Sequence, residues 1–226
     1  MTDLTATVLQ RLDEQLLPAA DPVRAAAQAA YMKDQFPFLG LPAPALQKLE
    51  RAALRGLPPP AEADLRSTAP ALWAREQREF QYVACSYLVR NVAVPGPGFV
   101  PTLRALITTK SWWDTVDALA TRFTGGLVAR HPSLVTVMDQ WSRDGNMWLV
   151  RTAILHQLHY GTATDTERLF GYCAAQAGHR DFFVRKAIGW ALRHYARTDP
   201  SAVRAFVEAH RSSLSGLSVR EATKHL

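Results

Sequence analysis

The chain of 226 residues is 48% hydrophobic and 20% charged, ordinary proportions for a soluble globular protein of one large domain or two small ones. No run of about 18 apolar residues is present, which excludes a membrane-spanning helix. Two lone cysteines, Cys85 and Cys173, argue against a disulfide framework or a cysteine-based zinc site. The formal net charge of +6 and the sequence pI of about 9.6 favour an anionic partner such as DNA.

Met1 to Leu17 mixes polar and apolar side chains and carries Asp3, Asp13 and Glu14. No signal peptide is expected there, and a cytoplasmic location fits the cysteine usage. Helical signals dominate the rest. Leu, Ala and Arg fill the periodic stretches, and period-2 alternation is scarce. Breaks are expected at Pro18, Asp21-Pro22, Gly40 to Pro42, Gly56 to Pro60, Pro95 to Pro97, His131-Pro132, Gly145, Gly161, Gly178 and Asp199-Pro200. They cut the chain into roughly a dozen helices of about 8–20 residues.

Midway along the chain stands Ser111-Trp-Trp-Asp-Thr-Val-Asp117. On a helix Trp113 and Asp117 share a face, so a large aromatic ring lies beside a fixed anion. Ser111-x-x-Asp114 reads as a capping box, which gives Asp114 a structural role. Asp117 lies beyond the first turn, where neither cap nor dipole supports a carboxylate. The two adjacent tryptophans point different ways. Trp112 is expected in the core, and Trp113 in a groove with Asp117.

The second half repeats. Val150-Arg151-Thr152-Ala153 is echoed by Val184-Arg185-Lys186-Ala187 and by Val219-Arg220-Glu221-Ala222. The steps are 185 − 151 = 34 and 220 − 185 = 35. Phe80, Trp113, Trp148 and Phe183 keep a similar interval. Such a period marks stacked helical pairs, each covering its neighbour's apolar face. The expected architecture is an all-α, HEAT-like helical-repeat solenoid, one domain over residues 1–226, with the recurring arginine on a basic concave face. From Lys110 onward there are 15 Lys+Arg against 10 Asp+Glu, compared with 11 against 10 before it, so the basic surplus belongs to this half.

Trp73, Trp141 and Trp148 read as packing residues. Trp190 stands among Arg185, Lys186 and Arg193, an interleaving that suits stacking with phosphate contact. No metal-ligand spacing, phosphate-binding glycine loop or nucleophile elbow is present. The residues alone leave three readings open: an enzyme acting on DNA, a non-catalytic DNA-binding module, and a protein-binding helical scaffold.

Four segments taken together, Ser111 to Asp117, Tyr31 to Gly40, Met147 to Leu158 and Phe182 to Tyr195, resemble the AlkD-type DNA alkylation repair glycosylases. The similarity runs from about residue 5 to Leu226. It implies a HEAT-like solenoid that holds duplex DNA and excises cationic N3- and N7-alkylated purines in base excision repair. The implied protein is a monomer without cofactor or metal. By this resemblance Asp117 is the catalytic carboxylate, Trp113 and Trp190 are its aromatic walls, and Arg151 lies beside it. Tyr31, Lys33, Arg185, Lys186, Arg193, Arg220 and Lys224 are the implied DNA contacts. The chain departs from the pattern at Pro42, where a polar Gln is expected, and at His159, where a Lys is expected.

Overall fold

The structure is a computed structural model, in which residues 2–226 are described. Among the described residues there is no strand. Fourteen α-helices follow one another: α1 (Asp3–Leu16), α2 (Pro22–Tyr31), α3 (Ala43–Leu54), α4 (Glu62–Ala74), α5 (Arg78–Arg90), α6 (Val100–Thr108), α7 (Trp113–Ala118), α8 (Gly125–Arg130), α9 (Val135–Trp141), α10 (Met147–Leu155), α11 (Thr166–Ala175), α12 (Phe182–Tyr195), α13 (Pro200–Ala209) and α14 (Gly216–Ala222). The expected Pro and Gly breaks all fall at or between helix ends. Local chemistry fixes several starts. The side chains of Asp21, Asn146, Asp165, Asp181 and Asp199 accept backbone N–H bonds at the openings of α2, α10, α11, α12 and α13. Pro22 and Pro200 occupy first helical positions, where the missing N–H costs no bond.

By internal contacts the chain forms two compact units, Met1–Leu106 and Ile107–Leu226. In the first, α1 packs on α3 and α4, and α4 on α5. Leu12, Leu16, Leu65, Leu72, Phe80 and Leu88 are fully buried there. In the second, α10 packs on α12 and α12 on α14. Phe123, Leu149, Ala153, Val184, Ile188 and Leu192 have no exposure.

The repeat is visible in the side-chain bonds of the second unit, which join residues about one period apart. Arg151 meets Asp117 at a separation of 34, Tyr160 meets the Gly125 carbonyl at 35, Gln176 meets the Ser142 carbonyl at 34, and Lys186 meets Glu221 at 35. A helical repeat produces this pattern because equivalent positions of successive helices stack side by side. The matched Val and Ala residues serve that stacking: Val150, Ala153, Val184, Ala187 and Ala222 are buried.

Two of the sequence expectations are corrected. Ser111 does not cap α7. Its hydroxyl donates to the Ile107 carbonyl, Trp112 takes the N-cap position in extended backbone, and Asp114 accepts from the N–H of Thr115. No Ser–Asp capping box forms. The 33–35-residue bulky series also slips by one residue. It is Trp112, not Trp113, that packs on Trp148 and Phe183, with ring centroids 6.1 and 5.0 Å away.

Candidate active site

α7 runs into a π-helical turn, Leu119–Thr124, and then into α8. Such wide turns recur at functional sites because they re-aim the side chains around them. Asp117 sits in the last turn before this change of pitch, and its carbonyl accepts from Thr121. α8 approaches α10 closely at Gly125, where an added Cβ would stand 2.3 Å from the His156 carbonyl oxygen. The helical run that continues from α7, which supplies Asp117, is thereby held against the end of α10, which supplies Arg151.

A cavity of about 290 Å³ opens within this second unit. Trp113 and Asp117 of α7, Arg151 of α10, Lys186, Trp190 and Arg193 of α12, and Glu221 of α14 line it, with Phe182 and Phe183. All four residues assigned to catalysis from the resemblance therefore meet in one place. Trp112, Trp148 and Phe183 form the aromatic packing beneath them, and Phe182, 56% exposed, stands edge-on to Phe183 with centroids 5.4 Å apart.

Arg151 grips Asp117 with both arms of its fork. Nε donates to Oδ1 at 2.6 Å and Nη2 to Oδ2 at 2.8 Å, while Nη1 donates to the Phe183 carbonyl. This bidentate arrangement fixes the carboxylate in orientation as well as position. The arginine side chain is only 5% exposed and the carboxylate 19%, so the anion is the more open member of the pair. Three of the five N–H donors of Arg151 are thus spent on Asp117 and the Phe183 carbonyl. Burial raises the Asp117 carboxyl above its ordinary value, and Asp114 adds to that, against the lowering effect of Arg151. The net direction is upward: desolvation of the anion outweighs its partner.

Glu221 is the cavity residue that the sequence reading missed. It accepts from Lys186 Nζ at 2.9 Å and from Arg193. Lys186 and Arg193 together hold its carboxyl below the usual carboxylate range. Phe182 and Phe183 were also unassigned. Phe183 alone carried a signal, its place in the bulky series.

The other implied DNA contacts are elsewhere. Arg185 and Arg220 do not line the cavity, so the recurring arginine does not mark one cavity face. Arg185 donates instead to the His179 carbonyl at 2.7 Å, and Arg220 and Lys224 are exposed. In the first unit Tyr31 is 72% exposed and borders a shallow cavity with Arg24, Gln28, Pro42 and Tyr82. Lys33 is exposed in the left-handed turn after α2, at φ 60°. His159 is exposed and packs edge-on against His194 at 5.6 Å. Among the described residues no group of three or more His, Cys, Asp or Glu side chains is placed to hold a metal ion, and no helix is long and apolar enough to cross a membrane.

An all-helical repeat with a carboxylate held in an aromatic-lined cavity defines a class: helical-repeat proteins with a built anionic site. The comparisons make that class specific. A family model for DNA alkylation repair enzyme matches residues 12–226, and the chain belongs to that family. It is 34% identical to a solved structure described as a predicted DNA alkylation repair enzyme from Enterococcus faecalis, covering 92% of this chain and 96% of that one at a TM-score of 0.84. The smu.31 protein of Streptococcus mutans UA159 shares the fold at a TM-score of 0.65 and 12% identity, covering 99% of this chain and 100% of that one. No curated protein matches. Family membership supports a role in the repair of alkylated DNA.

Proposed function

We propose that the protein is a DNA glycosylase that releases positively charged N3- and N7-alkylated purines from duplex DNA, acting as a monomer. The observation that carries this reading is the Asp117 carboxylate, held by both arms of Arg151 and opening into a cavity shared with Trp113 and Trp190.

An alkylated N3 or N7 already carries the charge that makes the base a good leaving group. When the C1′–N bond breaks, its electron pair stays with the base and neutralises it. The deoxyribose is left with oxocarbenium character. The demand on the protein is to stabilise that charge and deliver water to C1′. Water adds its oxygen there and loses a proton, which leaves an abasic site. One carboxylate meets this demand, because the leaving group needs no acid, whereas most glycoside hydrolases need a second carboxyl group for that purpose. The burial that raises the Asp117 pKa also strengthens its attraction for a cation, since water screens it less. The indole faces of Trp113 and Trp190 are electron-rich and favour the same charge.

The test is incubation of the protein with duplex DNA carrying N7-methylguanine, followed by quantification of free base. Release above the spontaneous rate is expected. A rate equal to the protein-free control would refute the reading.

A further inference from the structure

The cavity holds a second carboxylate that the chemistry above does not use. The face of α12 that borders the cavity carries Lys186, Gly189, Trp190 and Arg193, at the three- and four-residue spacings that align side chains on a helix. Gly189 is a notch in that face. A Cβ there would stand 2.4 Å from the Cβ of Glu221 and 3.1 Å from the Ser218 carbonyl oxygen, so α14 approaches α12 closely only because position 189 lacks a side chain. The notch sets Glu221 between the two cations, where it accepts from Lys186 at 2.9 Å and from Arg193. Both of its oxygens are engaged, so it is not offered to a cationic base. All three side chains remain half-buried, not sealed away, so the pairs can open to solvent.

Lys186 and Arg193 flank Trp190, and they are the cavity's cations other than Arg151, which is committed to Asp117. A phosphate of a bound strand would compete for the same donors that Glu221 now occupies. We propose that Glu221 is a built-in competitor for the DNA phosphate: it holds Lys186 and Arg193 in place and lowers the affinity of the cavity for undamaged backbone. This rests on the reading that the cavity receives DNA. Glu221 is in this account a positioning residue that acts through Lys186 and Arg193 and touches no reacting atom. The carboxylate yields when phosphate arrives, because a phosphate presents more acceptor oxygens to the ammonium and the guanidinium than one carboxylate does. Removing its charge leaves both cations free for the strand.

The experiment is a salt titration of binding to an undamaged, fluorescein-labelled duplex, comparing wild type with Glu221→Gln. The variant is expected to bind about tenfold more tightly at 0.1 M salt for each cation released to pair with a phosphate. Its log–log salt slope should be steeper by about 0.9 to 1.8, corresponding to one or two freed cations. The double variant Lys186→Gln/Glu221→Gln should lose part of that increase. A role limited to pinning α14 to α12 would lower the melting temperature and leave the slope unchanged, and that result would overturn the proposal. If Glu221→Gln does not fold, Glu221→Ala, which likewise removes the charge, is read in the same way: a steeper slope supports the proposal and an unchanged one overturns it. Base release from N7-methylguanine duplex by wild type separates the two readings. Release with an unchanged slope sinks only the role of Glu221. A steeper slope without release sinks only the excision chemistry. Absence of DNA binding by wild type and variant alike sinks both.

Discussion

Two arginine–carboxylate pairs, each with one buried member, are built in opposite senses. In the first unit Glu50 of α3 is only 5% exposed, while its partner Arg90 of α5 is 43% exposed. In the second unit Arg151 is 5% exposed and Asp117 is 19% exposed. Burial raises both carboxyls above their ordinary values. Yet Glu50 is spent inward, on Ser86 and Arg90, and its charge meets only the protein. Asp117 is supported from behind and open in front. A perturbed carboxylate by itself therefore does not mark a site. What marks this one is that the carboxylate is the less buried member of its pair and borders a cavity.

Substitutions at the two pairs should separate these roles. The largest effect is expected from Asp117→Asn, which should slow base release by about 10²–10³-fold or more, as loss of a single electrostatic group does in other enzymes. DNA binding should stay intact or tighten, because the charge that Asp117 serves develops only in the transition state. Single-turnover release alongside a binding titration checks both halves. Arg151→Ala should follow. It leaves a desolvated anion without its partner, a change that costs about 3–5 kcal/mol where such a pair is buried. Chemical denaturation measures this. Glu50→Gln offers the contrast. It should leave base release at the wild-type rate, and equal slowing at Glu50 and Asp117 would erase the distinction drawn here.

The pH dependence sharpens the same comparison. Asp117 acts as the anion, and its pKa is raised, so activity is present above that raised value and lost as pH falls through it. The acid limb of the rate profile should therefore lie above the ordinary carboxylate range near 3.9. Protonation of Asp117 favours the folded state, since burial penalises only the ionised form, so the limb should not coincide with unfolding. A limb at or below the ordinary value would contradict the burial argument. Trp190→Ala should have a smaller effect, roughly fivefold on release, the equivalent of about 1 kcal/mol of cation–π attraction. Asp114→Asn should have the least. It sits in the first turn of α7, where its charge contributes about 0.3–1 kcal/mol through the helix dipole. Because Asp114 helps raise Asp117, its removal should move the acid limb slightly down.

Much of the fold was legible because proline, glycine and capping aspartates act locally. Asp21-Pro22 and Asp199-Pro200 announce helix starts wherever they stand in the chain. The period was legible because stacking needs Val and Ala at equivalent core positions. The facing of individual side chains was less so. The spacing to Asp117 set Trp113 in the groove and Trp112 inward, as found, yet the bulky series pointed to Trp113 for the place that Trp112 takes beside Trp148 and Phe183. Asp117 and Arg151 were each singled out in the sequence, but their bidentate fork is a tertiary fact. Glu221 was passed over because nothing local betrays a carboxylate that meets its partners 28 and 35 residues away, through a notch at Gly189.

The central claim is that Asp117 stabilises charge left behind by a base that departs without acid assistance. The most direct test sets wild-type release of N7-methylguanine from a duplex against release of uncharged hypoxanthine from the same sequence context. The account predicts release of the cationic base well above the spontaneous rate and no enzymatic release of the neutral one. Comparable release of both bases, or of the neutral one alone, would contradict it.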